Sequence, residues 1–143
     1  MGERMRRALA EFADPLAAMF PDAEDVGAAA LQLIERRPQT GNDLLAAVLH
    51  RLALAYLTAP ADEPGGSLDP VARFHLTNGA RLERINSFAD TSENGRRIAF
   101  GVMVNYFYDS EELVANHERY VQRGEIPLSK PLARELKKFA GAD

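Results

Sequence analysis

The stretch from Asp69 to Tyr108, DPVARFHLTNGARLERINSFADTSENGRRIAFGVMVNYFY, most constrains the fold. It sets His75, Asn78, Asn86, Asn94, Asn105 and two Asn-Gly steps into an otherwise apolar framework. Val102 to Tyr108 is rich in branched and aromatic residues and reads as the best strand in the chain. Its alternation puts Met103, Asn105 and Phe107 on one face and Val102, Val104, Tyr106 and Tyr108 on the other. Arg81 to Asn86 reads as a second strand, although its alternation is imperfect. Asp69-Pro70 is an N-cap followed by an N1 proline, so residues 70–77 form either a short helix closed by a left-handed Gly79 or an extended segment entering an Asn78-Gly79 turn. Thr91 or Ser92 is placed to cap a helical turn ending near Gly101.

The flanks read as helices. Met5, Leu9 and Phe12 recur at helical spacing, and Asp14-Pro15 looks like a cap and N1 proline opening a short turn through Leu16, Met19 and Phe20. Asp25 caps the next helix, whose Ala29, Ala30, Leu33 and Ile34 share a face, and Pro38 marks its end. Asn42 caps a third, with Leu45, Val48, Leu49, Leu52 and Tyr56 as its apolar stripe. Residues 58–68, with two prolines and two glycines, read as a linker. Beyond the strands, Asp109 or Ser110 caps a helix running to about Gln122 and stopped by Gly124. Ser129 caps a last helix that carries Lys137 and Lys138 at its C-terminal end. The expectation is an α+β fold: a helical segment over 1–57, a linker over 58–68, and a segment over 69–143 with few strands and flanking helices. At 143 residues these pieces suit one compact domain.

Composition narrows the function. The absence of cysteine removes disulfides, thiolate zinc sites and a cysteine nucleophile. Seventeen Lys+Arg against 21 Asp+Glu give a net charge of −4. This is unsuited to nucleic-acid binding, which calls for a basic face. No apolar run reaches the ~18–20 residues of a membrane span, and Glu11, Asp14 and Pro15 break any signal-peptide core. The chain reads as cytoplasmic.

Among candidate residues, His75 sits between Phe74 and Leu76. Such a ring suits proton transfer, or else a structural bond to a backbone carbonyl. His50 and His117 lie on helices, and the three histidines have no zinc-site spacing. Asn105, a polar residue inside a strong strand, must find either a ligand or a neighbouring loop. Asn78-Gly79 and Asn94-Gly95 are turns that can also present N–H groups to an anion. Arg81, Arg84, Arg96 and Arg97 can meet phosphates through their forked donors. No GxSxG elbow is present, and Glu111-Glu112 reads as a helix N-terminus complementing the dipole.

Taken in order, DPVARFHLTNGA, RLERIN, ADTS, GVMVNYFYD and ANHERYV resemble the C-terminal portion of the malonyl-CoA decarboxylases, over about Leu52 to Ser129. In that family a helical domain precedes a catalytic domain of the GNAT acetyltransferase type. The resemblance implies cofactor-free decarboxylation of a malonyl thioester, carried by CoA or by an acyl carrier protein. It makes His75, in the FHLxNG motif, the catalytic residue, and Asn78, Asn105, Tyr106 and Arg81 the substrate-binding set. The family's catalytic serine lies further toward the N-terminus than the aligned stretch. Two further departures are Ser87, where the family has tryptophan, and Asn94 to Gly101, where it reads KGxxQSxG. The alternative is a non-catalytic relative acting as a subunit or as an acyl-thioester-binding partner. A small sheet with an unpaired edge implies homo-oligomerisation or a partner chain.

Overall fold

The computed structural model describes residues 2–36, 42–59, 69–87 and 102–140. The elements run α1 (Glu3–Ala8), a 3₁₀ turn (Ala10–Phe12), α2 (Ala13–Met19), α3 (Val26–Arg36), α4 (Asn42–Thr58), α5 (Pro70–Thr77), β1 (Arg81–Ser87), β2 (Val102–Phe107), α6 (Leu113–Arg123) and α7 (Lys130–Ala140). This is the expected α+β arrangement. Pro38, the segment 60–68, Thr91, Ser92, Asn94 to Arg97 and Gly101 lie outside the described residues.

Helix boundaries follow local chemistry with two corrections, besides a later start for α6. That helix begins at Leu113 after Glu112 with no side-chain cap, so neither Asp109 nor Ser110 caps it. The Asp109 Oδ1 accepts the Glu111 N–H in the preceding turn at 2.9 Å. Asp25 caps α3 as expected, its Oδ1 accepting the Ala28 N–H at 2.8 Å. Helix α2, however, starts at Ala13 with no side-chain cap. Pro15 therefore lies within its first turn, where a missing N–H costs nothing. The second correction concerns Ser129. Its carbonyl accepts the first N–H of α7, from Ala133, but its buried hydroxyl has no partner among the described residues. Gly124 closes α6 in the left-handed conformation at φ +69°.

Helix α4 is the hub, packing against α1, α3, α7 and both strands. Leu45, Val48 and Leu49 are buried as the stripe predicts, while Tyr56 is 36% exposed. Leu54, Ala55, Leu57 and even Arg51 are buried instead, because a helix surrounded on several sides buries more than one stripe. Arg4 of α1 ties down the end of α4, donating to Ala55 O at 3.1 Å and Thr58 Oγ1 at 2.8 Å.

β1 and β2 pair antiparallel, with Leu82 opposite Tyr106, Ile85 opposite Val104 and an irregularity between Leu82 and Arg84. The bulge at Glu83 explains the imperfect alternation of β1. One extra residue lets Leu82 and Ile85, three apart, both face inward and be buried. The far edge of β1 is covered: Leu82 N–H donates to Pro127 O at 2.8 Å and Leu82 O accepts from Ser129 N–H at 2.9 Å. Among the described residues, no strand pairs with the far edge of β2.

A charged cluster joins α4 to α7. Arg51, only 5% exposed, donates to Glu135 Oε2 at 2.8 Å and to Ala8 O at 3.1 Å, and also meets Glu11. Its guanidinium lies 5.2 Å from the ring centroid of Phe12 and 5.6 Å from that of Phe139. His50 reaches Glu135 Oε1 at 2.7 Å and Ile85 O at 3.2 Å. Both ring nitrogens face acceptors. Burial alone pushes the Glu135 carboxyl up, but hydrogen bonds and charge from His50 and Arg51 outweigh it and hold the group below its ordinary value.

A depressed carboxylate stabilises the fold above its unfolded pKa, and that contribution disappears as pH falls through the folded value. Glu135→Gln is therefore expected to cost about 1–3 kcal/mol at neutral pH, since it leaves the buried Arg51 with one carboxylate partner, Glu11, instead of two. It should also flatten the loss of stability below pH ~4.5, measured by urea unfolding across pH. Gly79, at φ +91°, would place an added Cβ 2.5 Å from Leu113 O. Gly79→Ala should cost about 2–4 kcal/mol in the same assay, from backbone strain plus a clash with backbone.

Candidate active site

Helix α5 opens with Asp69 Oδ2 accepting the Ala72 N–H at 3.0 Å and Pro70 in the first turn. This settles the helix-or-extended alternative for residues 70–77. Ala72 and Leu76 bury one side of this short helix. The next residue round, His75, is left half-exposed and turned toward β2. Gly79 then reverses the chain into β1, and β2 returns alongside with Tyr106 and Tyr108.

The His75 ring stacks on Tyr106, with centroids 4.3 Å apart and planes inclined by 20°. Its Nδ1 lies 2.6 Å from the Tyr108 hydroxyl. The Phe74 ring meets it edge-on at 5.3 Å. Nε2 has no hydrogen-bond partner among the described residues. A phenol donating to Nδ1 puts the ring proton on Nε2, whereas the reverse tautomer leaves Nε2 an acceptor. Either way one nitrogen is held and the other is free to meet a ligand.

Tyr106 is half-buried. Desolvation pushes its phenol up to about 12, with smaller contributions from Asp69, Tyr108 and Tyr120. Sequence reasoning placed Tyr106 in the site but passed over Tyr108. The signal was available, because strand alternation puts both tyrosines on the same face.

Asn78, Asn105 and Arg81 do not gather at this ring. Asn78 turns back on its own helix, Nδ2 donating to Phe74 O at 2.8 Å. Asn105 lies exposed on the outer face of the hairpin, where its Oδ1 accepts from Asn86 Nδ2 at 2.6 Å. Arg81 shares that outer face. It pairs with Glu83 at 2.9 Å and Glu112 at 3.1 Å, and its guanidinium sits 4.7 Å from the Phe107 ring centroid. The Glu83 hydrogen bond is the main reason its guanidinium is raised further above its ordinary value.

Arg81 opens instead onto a cavity of about 550 Å³ between the outer hairpin face, α6 and the start of α7. A second cavity of about 470 Å³ lies over His50, Ile85, Leu132 and Glu135. Among the described residues, no group of three His, Cys, Asp or Glu is placed to hold a metal ion, and no helix is long and apolar enough to cross a membrane.

A raised phenol favours folding below its unfolded pKa near 10, and that contribution is lost as pH rises toward 12. In an absorbance titration of the four tyrosines, one is expected to ionise near pH 12. Tyr106→Phe should remove that late step alone.

Residues 10–142 match the sequence profile of the malonyl-CoA decarboxylase C-terminal domain. The mitochondrial malonyl-CoA decarboxylase of Anser anser anser is 40% identical over 91 residues, which are 64% of this chain and 18% of that protein. The crystal structure of malonyl-CoA decarboxylase from Rhodopseudomonas palustris is similar at TM-score 0.65 and 38% identity, over 81% of this chain and 28% of that one. That from Cupriavidus metallidurans gives TM-score 0.67 and 32% identity, over 94% and 33%. The chain thus spans 18% of the length of the curated relative and about a third or less of the solved ones.

Proposed function

Because this chain belongs to the malonyl-CoA decarboxylase family, we propose that it takes part in the decarboxylation of a malonyl thioester, with His75 as its reacting group. The observation that carries this reading is the His75 ring itself. It is stacked on Tyr106 and held at Nδ1 by Tyr108, and its Nε2 meets no partner among the described residues.

Loss of the β-carboxylate as carbon dioxide leaves the electron pair of the broken C–C bond on the α-carbon. The resulting thioester enolate needs a donor at its oxygen and a proton at carbon. With Tyr108 donating to Nδ1, the N–H at Nε2 first binds the malonyl carboxylate. As it then delivers its proton to the α-carbon, Tyr108 passes its own to Nδ1, so the ring stays neutral and the phenol is reprotonated from solvent. Tyr106 fixes the plane of the ring, and its high pKa keeps the phenol neutral beside it. Asn78 and Asn105 enter this mechanism only if substrate draws their side chains away from Phe74 O and Asn86. Arg81 meets a CoA phosphate only by leaving Glu83 and Glu112. The thioester is carried by CoA or by a carrier protein.

A second reading, a subunit or thioester-binding partner without turnover of its own, rests on Asn78, Asn105 and Arg81 being engaged away from His75. Under either reading the edge of β2 that no described strand pairs supports association with a second copy or a partner chain.

The test incubates the purified chain with malonyl-CoA and follows acetyl-CoA by mass spectrometry, with light scattering on the same sample for its assembly state. Turnover is expected, falling by about a hundredfold or more in His75→Ala. Undiminished turnover in that variant removes His75 from the mechanism. Absent turnover with calorimetric binding of malonyl-CoA selects the second reading.

A further inference from the structure

The last four carbonyls of α5 have no partner inside the helix and must be satisfied from elsewhere. Three are satisfied locally: Phe74 O accepts from Asn78, Leu76 O from Gly79 N–H at 3.1 Å, and His75 O from Ala80 N–H at 3.1 Å. The fourth, Thr77 O, lies two residues beyond His75 and is reached from another helix, by Nδ1 of His117 at 2.5 Å. Since a carbonyl only accepts, His117 Nδ1 carries the proton. Its neighbour Asn116, 4% exposed, donates from Nδ2 to Gly79 O at 3.1 Å.

These two residues belong to one stripe of α6: Leu113, Asn116, His117 and Tyr120, at i, i+3, i+4 and i+7. At its start, Leu113 O occupies the space a Gly79 side chain would fill. At its end, Tyr120 lies close enough to Tyr106 to act on its phenol electrostatically. A stripe at this spacing ordinarily carries apolar residues onto a core. Here its two middle members are polar, and both are spent on the backbone that immediately follows His75.

From this geometry we infer that Asn116 and His117 are positioning residues for His75, fixing the end of α5 so that the imidazole meets Tyr106 and Tyr108. The inference rests on the decarboxylase reading only for its kinetic readout, since the orientation of His75 can be observed without turnover.

The test uses ¹⁵N-labelled full-length chain carrying His117→Ala, His117→Asn or Asn116→Asp. His117 is exposed, so its replacement leaves the fold intact, and the asparagine amide reaches where Nδ1 was. Asn116→Asp keeps the shape while turning a donor into an acceptor. If it does not fold, the His117 pair decides. In His117→Ala the His75 ring resonances should move away from their stacked positions, with kcat down about threefold or more and KM changed less than twofold. His117→Asn should restore both.

Unmoved His75 resonances in His117→Ala, with shifts confined to the amides around Thr77 and Gly79, would overturn the inference and leave a helix cap only. A shift that His117→Asn fails to reverse would also overturn it. A wild-type chain without turnover counts against the decarboxylase reading alone, because the resonances still report whether the ring has moved.

Discussion

The closest constraint in the molecule is the approach of α6 to the turn at Gly79, where Leu113 O sits in the volume of an absent side chain. Three elements meet there. Helix α5 ends, β1 begins, and the α6 stripe comes near enough for Asn116 to bond the turn. If the turn were opened by one methyl group, α6 would move outward, Asn116 would lose Gly79 O, and α5 would be free to pivot on its remaining contacts. The two stacked rings come from separate elements, His75 from α5 and Tyr106 from β2, so their contact depends on where α5 ends.

A different kind of interaction governs the opposite side of the fold. Arg51, His50 and Glu135 form a charged knot inside otherwise apolar packing between α4 and α7. Buried ion pairs contribute little net stability relative to apolar replacements, yet losing one partner is costly. Their physical effect is therefore on register. Only one sliding position of α7 against α4 satisfies both carboxylate oxygens, the His50 ring and the backbone carbonyls of Ala8 and Ile85 together.

Features with local causes were legible from the residues. The Asp69-Pro70 cap, the left-handed glycines at 79 and 124, and the inward face of β2 follow from chemistry within a few residues. The stacking of His75 on Tyr106 was not legible in this way: the resemblance put both in the site, while alternation split β2 into two faces without saying which one α5 meets. The Arg51–Glu135 contact joins residues 84 apart, and no local pattern announces it. The Glu83 bulge hides in the sequence as poor alternation, which reads equally well as a weak strand. The stripe on α4 misplaced Tyr56 because periodicity identifies one face, whereas a central helix has several. Asn78, Asn105 and Arg81 were grouped with His75 by chemical type. The hairpin sorts side chains by face, and it puts Asn105 and Arg81 on the far one.

The two edges of the hairpin are not equivalent. Residues Pro127–Ser129 close the β1 edge through Leu82, while no described strand lies along β2. The sheet therefore has a direction of growth. A strand joining β1 at Leu82 must first displace the 127–129 segment, whereas one joining Val102–Phe107 lies along the strand whose Tyr106 holds the imidazole. Enlarging this sheet and remodelling the surroundings of His75 are then a single event, so a change in assembly state would be felt at the ring without any intermediary.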